Sequence, residues 1–328
     1  MTEQSFVQRR GKVWSEFAVL IRGNRRRLKK GSLQFLGSFR EITQDLNTAK
    51  ANSFDPAIIE KLNTLVNEGN QILYSRHDWS VKTLILFLIK TFPQKVRSHW
   101  KGILAVSLLF YGLMFFFGLM CFRFPGIAEE LVSAFELAQY ENMYDPESSH
   151  FLQPREVSGD ADMFGFYIYN NISIAFRTFA GGVFAGFGSL LILFINGVKS
   201  GIIEGHLIFS GYAKTLIPFV IAHSALELTA IIFSAYAGML LGYRFFITNG
   251  LSRGASIRKA GQDALPIIAG SALMLFIAAA IEAFWSSKHT FPLTLRIGAG
   301  IAVWLLVLLY FLFAGRNFAK GKNNEHSL

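Results

Sequence analysis

Long apolar stretches with almost no charge constrain this chain more than any other feature. Three of them, Gly102–Phe122, Leu265–Trp285 and Leu293–Phe313, run for about 20 residues each, enough for a helix to cross a bilayer. Asn170–Ile195 and Leu216–Phe246 are further apolar stretches, but they include polar residues. The pattern predicts an all-α fold, namely a polytopic α-helical membrane protein with an N-terminal cytoplasmic helical domain.

Charge distinguishes two further regions. Residues 1–100 hold 17 Lys and Arg against 8 Asp and Glu, whereas residues 123–165 hold 9 Asp and Glu against 2 Lys and Arg. Basic loops stay preferentially in the cytoplasm, so the head is predicted inside and the acidic loop outside. The basic run Arg22–Lys30 lacks interleaved aromatic residues, which favours a membrane-facing or solvated basic face over nucleic-acid binding. Met1–Phe6 has no apolar signal-peptide core, and the single Cys121 excludes a disulfide framework.

Apolar residues recur at helical spacing in the head, where Asp55-Pro56 suits the start of a helix. A short apolar and then basic segment follows, which we interpret as an elbow on the membrane surface. Together these patterns predict seven regions: a basic cytoplasmic head at 1–100 with its interfacial elbow at 81–100, a first transmembrane helix at 101–122, an acidic extracytoplasmic loop at 123–169, a glycine-rich membrane core at 170–246, a basic cytoplasmic linker at 247–264, two C-terminal transmembrane helices at 265–315, and a cytoplasmic tail at 316–328.

The number of crossings is the difficult part of this topology. Five crossings would place the basic linker and the tail outside, against the usual distribution of Lys and Arg. A sixth crossing at Gly197–Thr215 restores that distribution; alternatively, Asn170–Ile195 dips into the membrane and returns to the outer side. Leu216–Phe246 would extend about 46 Å as one straight helix, so it must tilt, protrude or break. We predict a multi-pass membrane protein with both termini cytoplasmic.

Small residues four apart are dense in the membrane core. Such spacing lets helix backbones approach closely in lipid, either within the chain or at a homodimer interface. The residues predicted to pack in this way are Gly182, Gly186, Gly197, Gly201, Gly205, Gly238 and Gly242.

Embedded polar residues are the candidates for function, because charged groups inside a membrane usually face a partner or a water-filled cavity. The predicted network comprises Asn170, Asn171, Arg177, Asn196, Glu204, His206, His223 and Glu227. His223 and Glu227 are four apart and share a helix face. Glu204, His206, His223 and Glu227 together would suit a proton relay or a metal site, with zinc as the candidate ion.

A purely structural network, in which Arg177 neutralises Glu227 or Glu204, is the competing interpretation. Glu282 lies near the outer end of its span, where it can reach water, and receives no role. We find neither a zinc-binding HExxH sequence nor a nucleophile elbow or P-loop, so no enzymatic activity and no cofactor is predicted apart from that candidate zinc ion.

Two runs of the membrane core carry a family resemblance. NNISIAFRTFAGGVFAGFGSLLILFINGVKSG (Asn170–Gly201) and IPFVIAHSALELTAIIFSAYAGMLLGYRF (Ile217–Phe245) resemble the stage II sporulation protein M family in their paired asparagines, the later Asn-Gly, the His-x-x-x-Glu and the closing Ala-Gly-x-x-Leu-Gly. The head segment Asp45–Tyr74 is similar to the helical N-terminal part of many bacterial members. One departure is that Ala222 and Ser224 flank His223, where the family usually has Pro-His-Gly.

The resemblance implies a membrane component of an envelope complex. The sporulation member recruits peptidoglycan-degrading enzymes during engulfment, and many relatives occur in bacteria that do not sporulate; this long-headed chain looks like one of those. We therefore expect a scaffold with other membrane or envelope proteins as partners. An ion, proton or small-solute transporter using the buried Glu, His and Arg groups is the alternative, and an intramembrane hydrolase or metalloenzyme is a weaker third.

Overall fold

The computed structural model describes residues 2–22, 33–73, 80–148, 157–288 and 291–316. These residues are overwhelmingly helical and contain no strand, which confirms the predicted all-α class. The chain divides into two compact units, Met1–Ser80 and Val81–Leu328. Most of the basic run Arg22–Lys30 and of the tail 316–328 lies outside the described residues.

The first unit consists of three helices: α1 (Glu3–Arg22), α2 (Leu33–Ala51) and α3 (Pro56–Leu73). Each buries one apolar stripe in a shared core, as the helical spacing predicts. The predicted start of α3 is present, because the Asp55 side chain accepts a hydrogen bond of 2.7 Å from the backbone of Ala57. The N-terminal helical domain is thereby confirmed.

A buried polar cluster ties α1 to α2 within this first unit. The carboxylate of Asp45 accepts a hydrogen bond of 2.9 Å from Arg10 Nε and one of 2.8 Å from Trp14 Nε1. Asp45 is itself buried, so these two donors supply the polar partners that water would otherwise provide. The Asp45 carboxylate is the leading cause of a raised pKa of Arg10, which stays protonated.

The second unit begins with the predicted elbow rather than with the first long helix. Its elements are α4 (Val81–Leu86), a π-helical turn (Phe87–Thr91), α5 (Phe92–Ser98), α6 (Trp100–Arg123), α7 (Gly126–Leu131), α8 (Ala134–Tyr144), α9 (Val157–Ala180), a 3-10 turn (Gly181–Val183), α10 (Phe187–Phe209), α11 (Ala213–Phe246), α12 (Arg253–Ile281) with a π-helical turn (Glu282–Ser286), and α13 (Leu293–Phe313). Residues 81–100, which the sequence grouped with the head, thus belong to the same compact unit as the bundle. Phe92 explains this grouping, since it is buried against Phe233 and Phe311.

Five of these helices are long and apolar enough to span a membrane: α6, α10, α11, α12 with its π turn, and α13. The 24-residue helix α9 lies beside them but carries Asp160, Asp162 and Arg177, so it is too polar to count among the five. It nevertheless runs from one end of the bundle to the other. Its first turn pairs with Lys288 after α12, and its last turn packs against Ser189 and Gly238.

Among the described residues, six helices therefore run between two ends of the bundle. We name these ends by the charge near them: the basic end, with Lys95, Arg97 and Arg253, and the acidic end, with helices α7 and α8. The chain enters and leaves the unit at the basic end, where Arg97 donates a hydrogen bond of 3.0 Å to the carbonyl of Phe311. Helix α11 continues for 34 residues through Pro218, so the overlong apolar stretch is a single unbroken helix.

The structure differs from the predicted segmentation around residue 185. Asn170–Ile195 is not one embedded segment: α9 ends at Ala180, and a turn with left-handed Ala185 (φ 55°) and Gly186 (φ 86°) precedes α10. Gly197–Thr215 is not a separate crossing either, because residues up to Phe209 continue α10. The sixth traverse is α9, which begins at Val157, inside the predicted acidic loop.

Candidate functional site

Three titratable side chains meet near the acidic end of the bundle. His223 and Glu227 lie one turn apart on α11, and Glu282 opens the π turn that follows α12. His223 Nε2 is 4.0 Å from Glu227 Oε2, and one ligand atom from each of the three residues lies within 4.8 Å of the others. His223 and Glu227 share a face because side chains four apart do so on a helix.

The π turn supplies two side chains to this cluster. Single π turns inside α-helices are rare, and they occur frequently at functional sites. Here the turn brings Glu282 to the two α11 side chains and places Ser286 Oγ 3.2 Å from His223 Nδ1. The carbonyl of Ser286 in turn accepts a hydrogen bond of 2.8 Å from Arg296 of α13. Three helices thus converge on one polar site.

Arg296 brings a buried positive charge to this neighbourhood. Its residue exposure is only 6%, and its Nε atom has no hydrogen-bond partner among the described residues. Arg296 lies one turn into a strongly apolar span. Sequence analysis did not name Arg296 and gave Glu282 no role, although a charged residue inside an apolar span was the signal that would have found both.

Helix α8 covers the cluster from outside the bundle. The ring of its last residue, Tyr144, packs edge-on against Phe219, and Phe219 packs edge-on against His223. Burial raises the pKa of the Tyr144 hydroxyl, and the negative charge of Glu282 raises it further. Thr215 fixes this cover by donating a hydrogen bond of 2.6 Å to the carbonyl of Tyr144.

The other two predicted metal ligands do not join His223 and Glu227. His206 is buried and pairs instead with Glu141 of α8, with 2.8 Å between Nε2 and Oε1. Glu204 is partly buried, and its charge contributes to the raised pKa of Tyr144. The set of four predicted from sequence therefore separates, and Glu282 rather than Glu204 or His206 completes the cluster.

Arg177 does not neutralise Glu227 or Glu204, contrary to one of our hypotheses. It is exposed in the last turn of α9, at the opposite end of the bundle from Glu227. The remaining members of the predicted network make local contacts. Asn170 donates a hydrogen bond of 3.0 Å to Asn171, and Asn196 donates one of 2.8 Å to the Ile192 carbonyl.

All seven predicted glycines lie at close approaches between segments of this chain. On α10, Gly197, Gly201 and Gly205 face Phe110, Met114 and Gly118 of the parallel helix α6. We call this contact the first glycine seam. At the second glycine seam, Gly182 and Gly186, in the turn before α10, face Gly238, Met239 and Gly242 of α11. At Gly182 and Gly242 a Cβ atom would overlap backbone atoms of the other segment, so an alanine there would force the two segments apart. These faces are therefore occupied within the chain, and a homodimer would need another surface.

The fold and the embedded cluster define the class: a multi-pass α-helical membrane protein with a compact helical head. Comparison with known families gives the particular one. The family model described as Stage II sporulation protein M matches residues 100–287, more than half of the chain, and the chain belongs to that family. A second family model, a domain of unknown function (DUF8413), matches residues 4–75. No curated protein and no solved structure matches the chain.

Proposed function

We propose that this protein is a non-enzymatic membrane scaffold that assembles an envelope-associated complex, and that this complex takes part in peptidoglycan remodelling. The two glycine seams carry the proposal. They hold α6 against α10 and α11 against the turn before α10 through direct backbone contact. Alternating-access transport requires groups of helices to rock against each other, whereas these seams pack the paired segments closely together. A rigid bundle suits an anchor that presents other surfaces.

Two surfaces are available for partners. The head exposes side chains such as Val19 on α1, and the acidic end exposes Phe135 on α8; both are 74% exposed. These two apolar side chains lie outside the spans and serve as probe positions for protein contacts on the two surfaces. We infer further that the basic end faces the cytoplasm of a bacterial inner membrane, because Lys and Arg concentrate there and acidic groups at the other end.

Site-specific photo-crosslinking in cells tests the scaffold. A crosslinker at Phe135 or Val19 is expected to give discrete adducts with envelope proteins, and one at the lipid-facing Leu306 of α13, which is equally apolar, is expected to give none. The adducts should persist in Glu227→Gln. The proposal would be refuted if neither Phe135 nor Val19 gave protein adducts, or if Leu306 gave adducts as strong as theirs.

The second candidate function is a transporter or channel, and the buried His223, Glu227 and Glu282 cluster favours it. Buried ionisable residues within spans commonly mark ion or proton pathways. Flux measured in proteoliposomes separates the two functions. A transporter loses flux in Glu227→Gln and Glu282→Gln while the chain stays folded, whereas a scaffold shows no flux in any form.

Labelling of single cysteines tests the orientation. Leu251→Cys, in the exposed turn between α11 and α12, should react only with reagent on the cytoplasmic side. Glu130→Cys on α7 should react only from outside. Labelling of both positions from the same side would contradict six traverses.

A further inference from the structure

We infer that His223, Glu227 and Glu282 form a binding site for a divalent transition-metal ion, with Zn²⁺ as the probe. This inference does not depend on the scaffold proposal. The ligand atoms of the three residues lie within 4.8 Å of one another. Zinc bonds to imidazole nitrogen and carboxylate oxygen are about 2.0–2.2 Å long, so its ligands stand about 3.4 Å apart. Rotation of the two glutamate side chains would have to close that difference.

The charge at this depth supports a cation. Glu227 and Glu282 bring two carboxylates to an apolar bundle, where an isolated buried carboxylate is costly. The guanidinium of Arg296 is hydrogen-bonded to the Ser286 carbonyl and supplies one positive charge. A divalent ion bound directly by both carboxylates places two positive charges beside them and holds the imidazole as well. The competing arrangement is a proton shared between the two glutamates.

Contacts around His223 prepare it as a ligand. When Nδ1 donates its proton to Ser286 Oγ, 3.2 Å away, Nε2 keeps its lone pair on the side of Glu227. Metal-binding histidines are oriented in this way by a hydrogen bond from the other ring nitrogen. Arg296 donates a hydrogen bond to the backbone carbonyl of Ser286, so the serine that contacts His223 is itself held in position.

The ligand types narrow the choice of ion. One imidazole with two carboxylates suits zinc and similar first-row ions better than Mg²⁺, which prefers oxygen ligands and water. Three protein ligands leave a fourth position for water. Helix α8 covers this end of the bundle through Tyr144, whose ring packs against Phe219 of α11. This cover shields the site from bulk solvent.

Zinc binding by the full-length chain in detergent tests the site. After removal of metal with a chelator, the protein is titrated with ZnSO₄ by calorimetry, and the metal retained after dialysis is measured by elemental analysis. We expect one Zn²⁺ per chain, a rise in Tm on zinc addition, and a much weaker response to MgCl₂. His223→Ala and Glu282→Gln should each weaken zinc binding by about 100-fold or more, since losing even an outer contact costs about 10–100-fold.

His206→Ala is the matched control, because His206 is also a buried histidine paired with a glutamate at the same end of the bundle. It should retain zinc binding. Glu282→Gln keeps the shape of the side chain, so it decides the matter even if His223→Ala fails to fold. Zinc binding by Glu282→Gln equal to that of the native chain, or an absence of zinc binding by the native chain, would overturn the site.

Discussion

The head and the membrane bundle pack by different means. In the head, large aromatic side chains such as Phe6, Trp14, Phe17 and Phe35 form the buried core. In the bundle, glycines line the tightest contacts, and phenylalanines such as Phe115 and Phe116 point outward. Water drives apolar side chains inward, whereas lipid provides no such drive, so close backbone packing holds the bundle together. The difference shows that large aromatic side chains mark the core in the head, whereas in the bundle they occupy both the interior, as Phe92 does, and the outer surface.

The largest effect should come from filling a glycine seam. In Gly238→Leu, the new side chain has no space, because even a Cβ atom meets Ser189 and the Phe179 backbone. We expect a loss of more than about 3 kcal/mol, above the usual range for overpacking. Gly112→Leu, on a face of α6 with open space around it, is the control. Thermal unfolding in detergent compares the two variants. Equal Tm values would contradict the conclusion that close glycine contacts hold the bundle together.

The next effect contrasts two phenylalanines. Phe17→Ala removes a head side chain that is 1% exposed and should cost about 3–5 kcal/mol. Phe116→Ala removes one that is 59% exposed on α6 and should change stability by less than about 0.5 kcal/mol. Head unfolding followed by tryptophan fluorescence and bundle unfolding followed by circular dichroism measure the two losses. Comparable losses would mean that the Phe116 face is covered by protein rather than lipid.

A smaller effect should follow from the polar cluster of the head. Asp45→Ala leaves the indole N–H of Trp14 without its acceptor in a buried position. A buried unsatisfied donor costs about 1–3 kcal/mol. The measurement is the denaturant midpoint of head unfolding. Glu41→Ala serves as the control, because Glu41 contacts the same Arg10 from an exposed position. A larger loss for Glu41→Ala than for Asp45→Ala would contradict the role assigned to burial.

The smallest effect concerns pH at the basic end. Burial lowers the pKa of His99 from its ordinary value near 6.5; the carboxylate of Asp263 opposes this, and the positive charges of Lys95 and Arg244 reinforce it. The unfolded chain therefore binds a proton at a higher pH than the folded chain does. Stability contributed by neutral His99 is complete above pH 6.5 and declines as pH falls toward the lowered pKa.

His99→Gln should flatten this slope of Tm between pH 6.5 and 5. His206→Gln, at the opposite end of the bundle, should leave the slope in place. An unchanged slope in His99→Gln would show that another group carries the pH dependence.

Local sequence pattern was sufficient to predict most of the helices but insufficient to predict where α9 begins. Apolar periodicity predicted two of the three head helices, α2 and α3, and hydropathy predicted the helix from Gly102 and the two C-terminal spans. It missed α9, because Asp160 and Asp162 made its first turns resemble a loop. Asp160 is tolerated there because Lys288 pairs with it across the bundle. A pairing across more than 100 residues has no signature in a local window.

The sequence by itself determined the class of this protein, its helical head, its glycine-rich core and its family, because each depends on composition or spacing within a short segment. Only the tertiary structure decided which polar groups meet. It separated His206 and Glu204 from His223 and Glu227, and it brought Glu282 to that pair. The physical reason is that antiparallel packing of α11 and α12 sets residues about 60 positions apart side by side, while His206 of α10 pairs with Glu141 of α8 instead.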